Sequence, residues 1–177
     1  MPGSIVVRLL TPTDADAHLR VRLSQVELEP NAFAESPIEV RGKTAAATAE
    51  RLAAPRDVSF IAGAFVDGAI VATAGYFRRM EIKTRHKGRV WGVFVAPAFR
   101  GQGLGRAVMS KVLAEARTVD GLEQLDLTVA ETQTAAKKLY ESLGFVVYGR
   151  ETRSLRVGDA YVDEELMLMS LVAEKRS

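Results

Sequence analysis

With 177 residues, 47% of them apolar and 26% charged, the chain has the size of one ordinary domain and enough hydrophobic material to bury a core, well away from the composition of disorder. It contains no cysteine, which excludes disulfides, thiolate metal sites and a cysteine nucleophile. A net charge of +2 is too small to argue for nucleic acid. No apolar run reaches the roughly 18 residues that span a bilayer, and the start Met-Pro-Gly-Ser lacks a charged segment ahead of a long apolar one. The expectation is a single domain over residues 1–177, cytoplasmic, with neither nucleic acid nor membrane as partner.

Ile5 to Leu10 is short and β-branched, and Thr11-Pro12-Thr13 follows it, which predicts a first strand and a helix capped by Thr13. Leu19, Leu23 and Val26 share a face of that helix, and Pro30 closes it. Ser36-Pro37 offers another cap with proline at the first helical position, and the alanine-rich stretch Thr44 to Ala54 predicts a helix ending before Pro55. Val58–Val66 and Ile70–Phe77 flank Asp67-Gly68, a hairpin signal. The segment from Arg78 to Arg89 concentrates Arg78, Arg79, Lys83, Arg85, Lys87 and Arg89 against Glu81, and reads as a solvated hairpin loop or as a surface for an anion or an acidic partner.

Val90–Val95 reads as a buried strand, broken by Pro97 and followed by a glycine cluster and a helix with Leu104, Val108 and Val112 on one face. Leu125–Val129 predicts another strand. Thr134–Leu143 predicts a helix stopped by Gly144, and Phe145–Tyr148 and Tyr161–Leu171 supply two last strands around Val157-Gly158-Asp159. The predicted order is β-α-α-β-β-β-α-β-α-β-β, an α+β fold.

The segment Val93 to Ala107 sets three alternating glycines between a buried strand and a helix start. Without Cβ atoms the backbone can turn sharply there, leaving consecutive N–H groups and the positive helix end aimed at an anion such as a pyrophosphate. Neither the dinucleotide fingerprint nor the P-loop pattern matches: Arg106 and Val108 stand where a third glycine is needed, and the lysine of the P-loop is missing. Arg100-Gly101-Gln102-Gly103-Leu104-Gly105 does match the [Q/R]-x-x-G-x-[G/A] signature of the Gcn5-related N-acetyltransferases (GNAT). The strand before it and Leu139-Tyr140-Glu141-Ser142-Leu143-Gly144-Phe145 downstream also resemble that family.

The resemblance implies the GNAT fold, a mixed, mostly antiparallel sheet of about seven strands with helices on both faces, and an acetyltransferase activity using acetyl-coenzyme A with no metal. It implies that Val93, Phe94 and Val95 pair with the pantetheine arm, that the amides of Arg100, Gly101, Gln102, Gly103, Leu104, Gly105 and Arg106 hold the pyrophosphate, and that an amide near Phe94 or Val95 polarises the thioester carbonyl where two parallel strands splay apart. It makes Tyr140 the general acid toward the departing sulfur, and sets Gln133, Ala136 and Tyr140 among the residues that touch the cofactor. Gln133 stands where relatives carry an asparagine that contacts pantetheine, which places that contact in question.

Without a cysteine the chain cannot pass through an acyl-cysteine, so an acceptor amine attacks directly in a ternary complex. No carboxylate lies in Val90–Val95; Glu131 is a candidate general base, with Glu35 and Glu81 weaker candidates, and Asp163, Glu164 and Glu165 after Tyr161 could supply acids near the acceptor. His18 and His86 read as surface residues, and Trp91 as core or as a wall of the acceptor pocket. The acceptor, a small-molecule or protein amine, would be chosen by Leu28–Thr44 and Arg79–Gly88, whose basic charge disfavours a polycation within a Debye length of about ten ångström. A cofactor-binding sensor or docking module without catalysis is the alternative, and the resemblance leaves room for a homodimer through the C-terminal strands.

Overall fold

The computed structural model describes residues 4–172. It contains β1 (Ile5–Leu9), α1 (Ala15–Leu28), α2 (Pro37–Arg41), α3 (Ala45–Leu52), β2 (Ser59–Val66), β3 (Ala69–Arg78), β4 (Lys87–Val95), α4 (Leu104–Ala116), β5 (Gln124–Ala130), α5 (Thr134–Leu143), β6 (Val146–Val157) and β7 (Ala160–Ser170). The seven strands form one sheet in the order β1-β2-β3-β4-β5-β7-β6. Every neighbouring pair is antiparallel except β4 and β5, which run parallel.

Alternation along β2 separates the two faces. Phe60, Ala62 and Ala64 join Ala72, Ala74 and Tyr76 of β3 in a core closed by Val108, Met109 and Val112 of α4 and by Tyr140 of α5. Ile61 and Phe65 turn the other way, where Leu10 and Ile70 meet Ala17 and Val21 of α1 and Leu52 of α3. Helices therefore cover both faces, as the resemblance implied.

Four local readings are corrected. Thr13 does not cap α1: Pro12–Asp14 forms a 3₁₀ turn first, because the Asp14 carboxylate accepts the Thr11 N–H at 2.7 Å and pairs with Arg8, so the helix opens at Ala15. Three helices, not two, lie between β1 and β2. The Ser36-Pro37 signal starts a separate five-residue helix, its capping box closed by Glu39. β4 begins at Lys87 rather than Val90, since Gly88 and Arg89 pair both with β3 and with β5. β6 runs to Val157, far beyond Tyr148, because pairing with β7 carries a polar, exposed sequence that has little strand signal of its own.

Candidate active site

The glycine segment builds a cradle. Gly101 and Gly103 take φ of +74° and +78°, and a Cβ built at either would meet nothing within 4 Å, so both face open space. The first bond of α4 runs from the Ala107 N–H to Gly103 O at 3.0 Å, which leaves the amides of Leu104, Gly105 and Arg106 as the unpaired donors of a helix start. A groove of about 450 Å³ runs past this turn, lined by Val93, Phe94 and Val95, by Arg100, Gly101, Gly103, Leu104, Gly105 and Arg106, and by Gln133, Ala136 and Leu139 of the α5 side. Gln102 and Tyr140 are the exceptions among the residues expected to hold the cofactor. Neither lines the groove, and the Gln102 amide turns back to Ala98 O at 3.4 Å.

Beside the groove the sheet comes apart. β4 and β5 pair only from Lys87–Gln124 to Arg89–Asp126, and beyond that point both strands continue unpaired with each other, to Val95 and Ala130. β4 carries an extra residue opposite β3: Gly75 faces Trp91 while Thr73 faces Phe94, and Gly92 within this bulge has φ of +61°. The Ala96 N–H is bonded on the β3 side to Val71 O at 2.8 Å. By strand alternation the Val95 N–H points the other way, into the gap.

A buried polar chain fixes the bulge. Arg22 of α1 donates to Gln25 Oε1 at 2.6 Å, Gln25 Nε2 donates to Thr73 Oγ1 at 2.7 Å, and that hydroxyl donates to Gly92 O at 3.0 Å. Gln25 and Thr73 are 0% and 1% exposed, so the bonds at Gln25 have no competition from water, while the last bond, to Gly92 O, is part-buried. The buried face of α1 is consequently polar, His18, Arg22 and Gln25 alongside Ala15 and Val26, and neither Leu19 nor Leu23 of the predicted apolar stripe is fully buried.

The gap opens on a second cavity, of about 350 Å³, which shares Phe33, Val93, Gln133 and Ala136 with the groove. Tyr140 lines this cavity, buried against Phe145 in an edge-on contact, and its burial raises the phenol above its ordinary value so that it stays protonated. Trp91 forms part of this cavity's wall, and its ring also packs on the α1 side of the core.

The candidate acids separate. Glu131 lines neither cavity and is paired with Arg150, Asp163 is held by the same arginine, Glu165 is bonded to Lys137, and Glu81 is exposed in a turn with Thr84. Glu35, Glu151 and Glu164 do face the second cavity. Burial raises the Glu35 carboxyl, but bonds from Lys43 and Arg22 outweigh it and hold the group below its usual range. Glu164 is buried and accepts from Ser154 Oγ at 2.6 Å.

Three features escaped the sequence reading. Glu29, one residue past α1, accepts from Arg100 at 2.6 Å and from Gln133 at 3.1 Å, tying the glycine turn to the start of α5 across the groove. The basic segment is only partly a solvated loop: Arg78 is buried and donates to Arg85 O and Asp120 O, while Arg79 and Arg89 both pair with Asp126. Asp126 in the middle of an otherwise apolar strand was the available signal, since a buried carboxylate requires cations. His18 is buried, not on the surface.

The sequence profile of the acetyltransferase (GNAT) family matches residues 25–145. A mycothiol acetyltransferase of Salinispora arenicola is 34% identical over 154 residues, covering 82% of this chain, although the chain spans only 46% of that relative's length. The fold superposes on a GNAT-family acetyltransferase of Streptococcus pneumoniae with a TM-score of 0.84 at 23% identity, covering 94% of this chain and 99% of that one. It also superposes on the Salmonella typhimurium protein YncA, solved with its cofactor acetyl-CoA, with a TM-score of 0.83 at 21% identity, covering 98% and 96%. With its glycine turn, bulged fourth strand and splayed parallel pair lying inside the matched region, the chain belongs to the acetyltransferase (GNAT) family.

Proposed function

We propose that the protein is an N-acetyltransferase that moves an acetyl group from acetyl-coenzyme A to a primary amine by direct attack in a ternary complex. The observation that carries this reading is the junction of the two cavities in the gap between β4 and β5, with an unpaired strand amide on one side and Tyr140 on the other. The groove fits a pantetheine and pyrophosphate, having an open strand edge at Val93–Val95 and a cradle at Gly101 and Gly103 that any Cβ would narrow. When bound there, acetyl-coenzyme A supplies a thioester carbonyl carbon as electrophile.

The chain's own residues would then divide the work. The Val95 N–H, which points into the gap, stabilises the developing oxyanion. The acceptor nitrogen would form its bond to the carbonyl carbon, the carbon–sulfur bond would then break with the Tyr140 hydroxyl giving its proton to the departing sulfur, and the proton lost by the acylated nitrogen would return to the tyrosinate, directly or through water. A lysine-like amine, with an ordinary pKa near 10.4, must lose a proton before attack, and Glu35, Glu151 and Glu164 are the carboxylates of the acceptor cavity placed to take it, directly or through water.

Purified protein incubated with acetyl-coenzyme A and a panel of amines, read by free thiol release, tests this directly. Turnover with one amine class, falling about 10²-fold or more in Tyr140→Phe with cofactor binding retained, is expected. Cofactor binding without turnover on any amine would favour a sensor, and failure to bind acetyl-coenzyme A would overturn the reading.

A further inference from the structure

Trp91 is the chain's single tryptophan, and it faces two ways. On one side it is a wall of the acceptor cavity; on the other it closes a separate cavity of about 20 Å³ between α1, α3 and β4, lined also by His18, Arg22, Lys43 and Arg51. Three cations meet here and share one carboxylate, because Arg22 and Lys43 are both bonded to Glu35 while Arg51 has no carboxylate partner among the described residues. The Arg51 guanidinium lies 4.2 Å from the centre of the Trp91 ring, and that of Arg22 lies 5.4 Å from it.

Two buried polar atoms in this cluster have no hydrogen-bond partner among the described residues: Trp91 Nε1 and His18 Nδ1. His18 is 6% exposed. Its burial, followed by Arg22, Arg51 and Lys43, holds the imidazole down to about 4 against a weaker opposing pull from Asp14. An indole nitrogen can only donate, and a neutral imidazole can present one donor. A water molecule would satisfy the nitrogens and leave the excess positive charge as it stands, whereas an anion answers both. The space is that of one small group, since about 10–15 Å³ is needed for a water.

We propose that this cluster is a binding site for a small monovalent anion, either a halide ion or the carboxylate of a small acid, gripped by Arg51 and Lys43 and accepting from Trp91 Nε1. An anion here links α1, α3 and β4 through a residue that also shapes the acceptor cavity, and it lies outside the groove and the β4–β5 gap. Because Arg22 also heads the chain that ends on Gly92 O, occupancy of this site is coupled to the bulge.

The emission of Trp91 reports on the site without any other tryptophan. Full-length protein is titrated with sodium chloride, and separately with sodium acetate, at constant ionic strength maintained with sodium gluconate, whose anion is too large for the cavity. A saturable change with chloride or acetate and none with gluconate is expected, with a midpoint about tenfold weaker in Arg51→Gln, a substitution at an exposed position. Saturation by chloride identifies the free ion as the natural occupant, and saturation by acetate alone identifies a carboxylate. Occupancy also raises the His18 titration followed by nuclear magnetic resonance, since an anion favours the imidazolium. A response that is non-saturable up to about 1 M salt, where surface pairs are screened, or that is the same in Arg51→Gln, overturns the proposal.

Discussion

Replacing Thr73 by valine keeps the shape of the side chain and deletes the one hydroxyl that both accepts from Gln25 and donates to the bulge carbonyl of Gly92. At 2.7 and 3.0 Å both bonds are well formed, and with Gln25 and Thr73 at 0% and 1% exposure no solvent can replace the one between them. Leaving the buried Gln25 amide orphaned costs about 1–3 kcal/mol and losing the part-buried bond to Gly92 O about 1 kcal/mol more, so the substitution destabilises the fold by about 2–4 kcal/mol. For a chain of this length that is a fall in Tm of about 5–15 °C. Thermal unfolding followed by circular dichroism measures it, with Thr73→Ser as the control that keeps the hydroxyl and loses only a methyl group, about 1 kcal/mol. If the valine variant melted within about 1 °C of the parent, or if serine were as damaging as valine, the hydroxyl relay would not be what pins the bulge.

Two further outcomes follow from the same geometry. His18 has a folded-state pKa of about 4 against an ordinary 6.5, so the unfolded chain binds more protons between those values. Stability therefore falls as pH drops from 6.5 to 4, by about 3 kcal/mol in all. His18→Gln should flatten that limb of the pH–stability curve from denaturant melts, and an unchanged slope would refute the assignment. Glu29 places a negative charge beside the glycine turn and holds Arg100 and Gln133. Glu29→Gln should tighten acetyl-coenzyme A binding by about 2–5-fold in calorimetry, the effect shrinking with added salt because the pair is partly exposed; weaker binding would show that Glu29 instead supports the groove.

The elements closest to the chemistry were legible because their signals are local. Alternating glycines after a buried strand can be read from spacing alone, and the structure gives Gly101 and Gly103 the positive φ and open approach that spacing implied. The Asp67-Gly68 hairpin and the Gly144 stop are local in the same way, each using a backbone conformation that few residues adopt. Seven strands with helices on both faces followed from hydrophobic runs and from the family likeness together.

What tertiary structure alone decided is whatever depends on contacts distant in sequence. A helical stripe of Leu19, Leu23 and Val26 says where an apolar face should be, yet α1 buries His18, Arg22 and Gln25, because Thr73, 48 residues from Gln25, waits with a hydroxyl. Glu131 gained Arg150 as its partner, and Glu164 became a cavity residue, only once β7 had paired with β5 and β6. Asp126 pairs with Arg79 and Arg89 for the same reason. Local propensity and pattern set the backbone conformation of each segment, but partners for buried polar groups are chosen by the sheet's pairing order, and no spacing along one chain encodes that directly.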